Sequence, residues 1–579
     1  MNTRRLHILK SAAAFPLVLW FAATFFLLGD TGRWLDDWFY VQRVPESGEI
    51  RSLVLDRPVH FWRPLYRVIV PALATVLDEN TRLHHLVCAL AHGLNALLLW
   101  SLLIRLGLRR LAASIAALFF LVYPASFEVV FWLCNLPTAL STSACLGALI
   151  LITRIAQRRS ACAMGWVGEL GASSALLAVT VFVAACLNEQ PPAMLAAAPL
   201  VCCMAVGRPL LSRDLLRCSP LLAAVVGAVA FYAICHHRFV PIKPSVDGDS
   251  FFVSLGRIPS VTAAVAHWTW EWVVSTGSMR RMLWHAGQAA AEHPVRTALV
   301  LTALIASAAL WVRDHVERGH EAPMSTEAGA ARPLSMIVLG GVIGLASIAP
   351  IIATNYWLNP RVLYAPSVGL AVILGGLCMI PGSRCPFSLA TKRRERLCAA
   401  VVAVIALSVM AWMMVGVQRT FQTRDRIDAQ ALEQLERLVP LPPPGSVFVP
   451  VQIESPSSPV WAARYEQQFW SIFRSRWSSS WAIQLHYGRG DIYASHALHG
   501  PAWFAPNMQS VNVVGVGRVE WERVIPFSLD SNGHVRLVPD VQWTTPTRAD
   551  RRLRLKHLPF PGHTSGAPFA FPPPLERDK

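Results

Sequence analysis

Six charged residues stand inside or at the edges of long apolar runs: Asp36, Asp37, Arg63, Glu128, Glu189 and Arg361. Asp36 and Asp37 are adjacent carboxylates in Gly29-Asp30-Thr31-Gly32-Arg33-Trp34-Leu35-Asp36-Asp37-Trp38-Phe39-Tyr40, flanked by aromatics just beyond an apolar run. Desolvation at a bilayer surface raises a carboxyl's pKa, which suits a general base taking a hydroxyl proton near neutral pH. A helix cap and a solvated loop charge would use the same residue types. Arg63, in Val59-His60-Phe61-Trp62-Arg63-Pro64-Leu65-Tyr66-Arg67, precedes a stretch to Leu77 amphipathic enough to lie in the interface. An arginine held by aromatics can grip a phosphate through two parallel N–H bonds, or can simply anchor to headgroups.

Glu128 is the only charged residue between Arg110 and Arg154. Burying a charge in a membrane is costly, so such a residue points to function. Glu189, in Leu187-Asn188-Glu189-Gln190-Pro191-Pro192, divides an apolar stretch into two spans of about twenty residues each; a plain polar turn would read the same way. Arg361, in Leu358-Asn359-Pro360-Arg361-Val362-Leu363-Tyr364-Ala365-Pro366-Ser367, is the cation of an otherwise uncharged turn. Three acidic sites and one or two arginines thus converge on one cavity.

The elements that must position these residues are membrane spans. Hydrophobic residues make up 54% of the 579 and charged residues 15%, against about 25% charged in soluble chains. A single soluble fold is excluded. The net charge of +17 comes from arginines clustered between apolar runs, without interleaved stacking aromatics, so nucleic acid is not the partner. Twelve cysteines end at Cys398 and show no zinc spacing; adjacent Cys202 and Cys203 are badly placed to chelate one ion. Runs of roughly 18–24 apolar residues recur from Ser11–Leu28, behind Arg4, Arg5 and Lys10, to Gly416. They make about eleven spans, the first read as a retained anchor.

Loops assigned to the cytoplasm carry 20 Lys/Arg in 65 residues and those on the other side 13 in 138. The N-terminus is therefore placed inside and everything after Gly416 outside. The third span, Leu111–Tyr123, is short, with a break expected at Pro124 that leaves Glu128 near membrane depth. The expected organisation is a transmembrane domain (1–417), a juxtamembrane segment with a Pro-rich linker (418–445), an extracytoplasmic α/β domain (446–555) and a Pro-rich tail (556–579). In the outer domain, strands are expected at Ser446–Ile453, Val511–Val516 and Val535–Trp543, and a helix around Tyr465–Trp477.

In this order, the pieces resemble the GT-C superfamily of polytopic membrane glycosyltransferases. They are Asp36-Asp37, Arg63–Leu65, His92-Gly93-Leu94-Asn95-Ala96-Leu97-Leu98-Leu99, Tyr123 through Trp132, Glu189-Gln190 and Arg361 through Ser367. The likeness is to the branch of protein O-mannosyltransferases and transmembrane mannosyltransferases with tetratricopeptide repeats, here without the repeats. The chain departs where Tyr123, Asn188 and Pro360 replace that branch's usual His, Lys and Glu.

The resemblance implies an α-helical polytopic fold and transfer of a sugar, with inversion, from a polyprenyl phosphate to an extracytoplasmic hydroxyl of a protein, lipid or envelope glycan. It makes Asp36 or Asp37 the base, with Asp37 the favourite beside Trp38. Arg361 and Arg63 would stabilise the leaving phosphate, and Glu128, Glu189 and Tyr364 would contact donor or acceptor. The resemblance names no certain cofactor and leaves a divalent metal open. The short Arg-rich loops favour a bacterial inner membrane. The alternatives are a non-catalytic envelope scaffold, a transporter or flippase, and a ligase using a lipid-linked oligosaccharide.

Overall fold

The computed structural model describes residues 16, 18–20, 62–77, 80–161, 167–207, 218–239, 276–317, 333–353, 360–379, 389–453, 472–474, 478–489, 491–494, 510–513, 517–530 and 533–538, with four helical positions between 259 and 266. Asp36, Asp37 and the tail from 556 lie outside the described residues. In chain order the helices are α1 (Pro64–Leu77), α2 (Thr81–Arg105), α3 (Arg110–Val122), α4 (Phe127–Phe131), α5 (Leu136–Ala161), α6 (Val167–Leu187) and α7 (Ala198–Val206). They continue with α8 (Ser219–Phe239), α9 (Thr276–Glu292), α10 (Pro294–Glu317), α11 (Pro333–Ala353), α12 (Tyr364–Leu377) and α13 (Leu389–Leu438).

Among the described residues, six helices are long and apolar enough to cross a membrane, lying in α2, α5, α8, α10, α11 and α13; five further apolar helices are shorter. Val226, Ile234, Leu299, Ile305, Leu345 and Val402 each leave between 65% and 70% of their surface uncovered. Belts of this kind are incompatible with water and suit hydrocarbon. The chain is an integral membrane protein. Most of the expected first span lies outside the described residues; Trp20 within it donates to the Ala89 carbonyl of α2 at 3.3 Å.

Lipid gives no hydrophobic drive for helix association, so close packing must supply it, and small residues permit the closest approach. α11 and α12 meet on Gly340, Gly344 and Gly369. A Cβ at Gly369 would lie 2.4 Å from the Gly340 carbonyl oxygen, and one at Gly340 would lie 2.5 Å from that of Gly369. Proline sets other boundaries. α3 ends before Tyr123, and Pro124–Ser126 form a 3₁₀ turn, as the sequence requires. The stretch after Glu189 departs from a simple second span. Pro191–Ala197 is 3₁₀ and only Ala198–Val206 is α-helical. The 3₁₀ rise of about 2.0 Å per residue lengthens this piece to roughly 28 Å, still close to bilayer thickness.

α13 runs unbroken for 50 residues, so the expected juxtamembrane segment is helical as far as Leu438, and the Pro-rich stretch follows it. Ala431, Leu432 and Leu435 of this extension are part of a second core, packed with Phe448, Phe473, Ile483 and Phe527. Within it, Arg424 and Asp428 form a buried pair at 3.2 Å, and Asp428 also accepts the Ile472 amide at 3.1 Å. The helix is thus the mechanical continuation of the last apolar helix into the C-terminal domain.

That domain contains β1 (Val447–Ile453), α14 (Ser478–Tyr487), β2 (Tyr493–Ala494), β3 (Ser510–Val513), β4 (Gly517–Glu520), β5 (Val524–Leu529) and β6 (Val535–Leu537). The sheet order is β2-β1-β5-β6, with β1 parallel to β2 and β5, and β6 antiparallel to β5; β3 and β4 pair separately. β1 and β6 fall where alternation predicts strands. Of the expected helix at Tyr465–Trp477 only Ile472–Arg474, a 3₁₀ turn, is described, and the rest lies outside the described residues; a helix follows from Ser478.

Candidate functional site

α1 opens with Pro64, whose fixed φ and missing N–H suit a first helical position. This leaves Arg63 just outside the helix, beside the turn that ends α6. There its Nε donates to Oε2 of Glu189 at 2.5 Å, and its Nη2 donates to Oε1, a side-on bidentate pair. Trp62 fixes the approach. It is buried, stacks on Phe239 at 5.3 Å, and its carbonyl accepts the Tyr232 hydroxyl of α8 at 2.7 Å. Both side chains of the ion pair keep about a fifth of their surface open, 22% and 21%. Two of the five N–H donors of Arg63 thus serve Glu189, because opposite charges this close in low dielectric attract strongly.

The turn that carries Glu189 is built by its neighbours. The Asn188 side chain accepts the Gln190 amide at 3.0 Å and donates to Thr138 Oγ1 at 2.7 Å. Ser141 donates to the Ala184 and Asn188 carbonyls at 2.8 and 3.2 Å. Gln190 then reaches across the bundle, donating to the Ser347 carbonyl at 3.1 Å and the Val362 carbonyl at 2.6 Å. Val362 follows Arg361 in the 3₁₀ turn Pro360–Leu363. The Glu189 and Arg361 segments, 172 residues apart between Gln190 and Val362, are thus tied directly.

Glu128 lies on α4 and is 1% exposed. Its carbonyl accepts from Asn135 Nδ2 at 3.2 Å. The Pro360–Leu363 turn packs against α4 and against Pro124–Ser126, so the segments bearing Glu128 and Arg361 adjoin. Phe131 of α4 meets Phe421 of α13 edge-on at 5.9 Å.

Tyr364 begins α12 and is fully buried. Asn95 Nδ2 donates to its hydroxyl oxygen at 2.9 Å, and the hydroxyl lies 2.9 Å from His92 Nδ1. His92 Nε2 lies 3.0 Å from the Leu121 carbonyl. A carbonyl only accepts, so Nε2 carries the ring proton and Tyr364 donates to Nδ1. The hydroxyl thus ties the start of α12 to α2, beside the Arg361 turn.

The structure therefore brings together the segments of Arg63, Glu128, Glu189, Arg361 and Tyr364; Asp36 and Asp37 lie outside the described residues. Sequence reasoning missed Asn135, Thr138 and Ser141. Their spacing of three on an apolar helix was the available signal. Among the described residues, no three His, Cys, Asp or Glu side chains gather as a metal site.

No protein-family model matches the chain, and no curated protein matches it. Among solved structures, it is similar to the archaeal oligosaccharyltransferase AglB from Archaeoglobus fulgidus in complex with an inhibitory peptide and a dolichol-phosphate. Identity is 12%, coverage 85% of this chain and 65% of that one, and the TM-score 0.39. The Archaeoglobus fulgidus oligosaccharyltransferase tethered to an acceptor peptide gives 11%, 83%, 63% and 0.35. The chain spans just under two thirds of the length of these proteins. A similarity this distant fixes no family, and neither protein is a mannosyltransferase of the branch that the motifs resemble.

Proposed function

We propose that this chain is a membrane glycosyltransferase of GT-C type, moving a sugar from a polyprenyl phosphate to an acceptor hydroxyl outside the cytoplasm. The observation that carries this reading is the tether from Gln190 to Val362. It joins an acidic turn to an arginine turn beside a buried glutamate, an arrangement that packing alone does not require.

In the proposed reaction, Asp37, with Asp36 as the alternative, takes the proton from the acceptor hydroxyl. The oxygen attacks the anomeric carbon, the bond from that carbon to the phosphate oxygen breaks, and the polyprenyl phosphate leaves. One displacement inverts the carbon. Arg361 meets the charge growing on the leaving phosphate. Arg63 contributes less, since Glu189 offsets its charge, and the pair instead holds the wall of the site. Glu128 orients donor or acceptor.

The test follows release of polyprenyl phosphate by purified protein from a panel of polyprenyl-phosphate sugars, with wild type beside Asp37→Asn. Release by the wild type that vanishes in the variant supports the reading. Release that persists in both Asp37→Asn and Asp36→Asn removes the base assignment, and folded wild-type protein inert toward every donor removes the function. A non-catalytic scaffold is the second reading, favoured by the mutual satisfaction of Arg63 and Glu189.

A further inference from the structure

An apolar cavity of about 420 Å³ lies between α9, α10 and α13. Its walls include Leu283 of α9, Val300, Leu301 and Leu304 of α10, and Trp412 and Val415 of α13. At 100° per residue, Trp412 and Val415 sit roughly 120–180° around α13 from Phe421, the residue that contacts the Glu128 helix. The groove thus opens on the face turned away from the candidate site. From Arg296 to Leu304 it descends about 12 Å along α10, within the roughly 15 Å of one leaflet.

Its upper end is polar in a specific way. Arg296 and Thr297 line it, and Arg296 and Arg280 are exposed. The neighbouring acid, Glu292, is held by Arg419. Thr297 Oγ1 is buried at the groove wall and has no hydrogen-bond partner among the described residues, and an unpaired buried hydroxyl is costly. The gap is held at a fixed width, because α9 rests on α13 at Gly416, where a Cβ would stand 1.9 Å from the Met282 carbonyl oxygen.

We infer that this groove seats one acyl chain of an anionic phospholipid, with the lipid phosphate at Arg296 and the acyl ester oxygen accepting from Thr297. The ester decides the occupant. A polyprenyl phosphate is pure hydrocarbon below its phosphate and offers Thr297 no acceptor, whereas an acyl ester places one directly beneath the headgroup. The lipid fills the space between α10 and α13 and cements them, whatever reaction the opposite face performs.

The test uses full-length protein in mild detergent, analysed for retained lipid by native mass spectrometry. It is then stripped and titrated with phosphatidylglycerol, phosphatidylethanolamine or a polyprenyl phosphate while its melting temperature is read. The wild type should retain one phosphatidylglycerol and gain stability from it. Arg296→Ala, at an exposed position, should weaken phosphatidylglycerol about tenfold, the loss of one charge-assisted contact. Thr297→Val should weaken both phospholipids and leave polyprenyl phosphate unaffected. Val300→Trp, which fills the groove, should abolish retention. No retained lipid and no melting shift in the wild type, unchanged affinity in Arg296→Ala, or displacement of phosphatidylglycerol by an equal concentration of polyprenyl phosphate would each overturn the inference.

Discussion

Arg63 and Glu189 face each other side-on, Nε to Oε2 at 2.5 Å, across 126 residues of chain. The pair closes the space between the start of α1 and the end of α6. Each partner alone would be a partly buried charge, so the two should be strongly coupled. A double-mutant cycle of Arg63→Met and Glu189→Gln, read by thermal unfolding in detergent, should give a coupling of about 1–3 kcal/mol, the buried-pair value reduced for partial exposure. Additive effects within about 0.3–0.5 kcal/mol would show that the two groups do not support each other.

The crossing of α11 and α12 has no room for a side chain at Gly369, while Gly341, one residue from Gly340, has nothing among the described residues within 4 Å of an added Cβ. Gly369→Ala should cost about 1–3 kcal/mol or more through overpacking, and Gly341→Ala should be near neutral. Monodispersity and melting temperature of the two variants, made side by side, separate a packing requirement from a general dislike of alanine.

Tyr364→Phe removes a hydroxyl that serves both His92 and Asn95. Two buried polar groups lose a partner, and a destabilisation of about 1–3 kcal/mol follows. Donor release per folded molecule should fall far less than in Asp37→Asn. An equal loss would return Tyr364 to the substrate.

In the C-terminal domain Arg489 donates to Asp491 through Nε at 2.9 Å and Nη2 at 2.7 Å, while its Nη1 holds the Pro442 carbonyl at 2.6 Å. The hydrogen bonds from Arg489 hold the Asp491 carboxyl below the usual carboxylate range. A lowered folded-state value means that the contribution to stability is present above the unfolded value of about 3.9 and is lost as pH falls through the folded one. Melting of the full-length protein between pH 6 and pH 3 should therefore be steeper for the wild type than for Asp491→Asn. Identical slopes would detach this pair from the stability of the segment at Pro442.

Much of the membrane architecture was legible because its causes are local. Run length and composition mark spans, and Pro124 ends α3 whatever packs beside it, since proline lacks the N–H that a helix interior needs. The helical extent of residues 418–438 was not legible, for the converse reason. The stretch is polar, and α13 continues through it because Ala431, Leu432 and Leu435 find an apolar sheet to cover. β5 was missed because Pro526 argues against an inner strand; its carbonyl still accepts the Val538 amide at 3.0 Å, and its other neighbour, β1, breaks register at Pro450/Gln452.

The sequence by itself determined that the chain lives in a membrane, which of the described polar residues interrupt its apolar runs, and where several helices must stop. These follow from composition, hydropathy and backbone chemistry within a few residues. Only the tertiary structure decided that Arg63 belongs to Glu189, that Gln190 reaches Val362, and that Tyr364 completes the hydrogen bonds of His92 and Asn95. Those pairings join segments 126 to 272 residues apart. They are selected by the cost of leaving charges and donors unmet inside a bilayer, which depends on what the folded chain brings within reach.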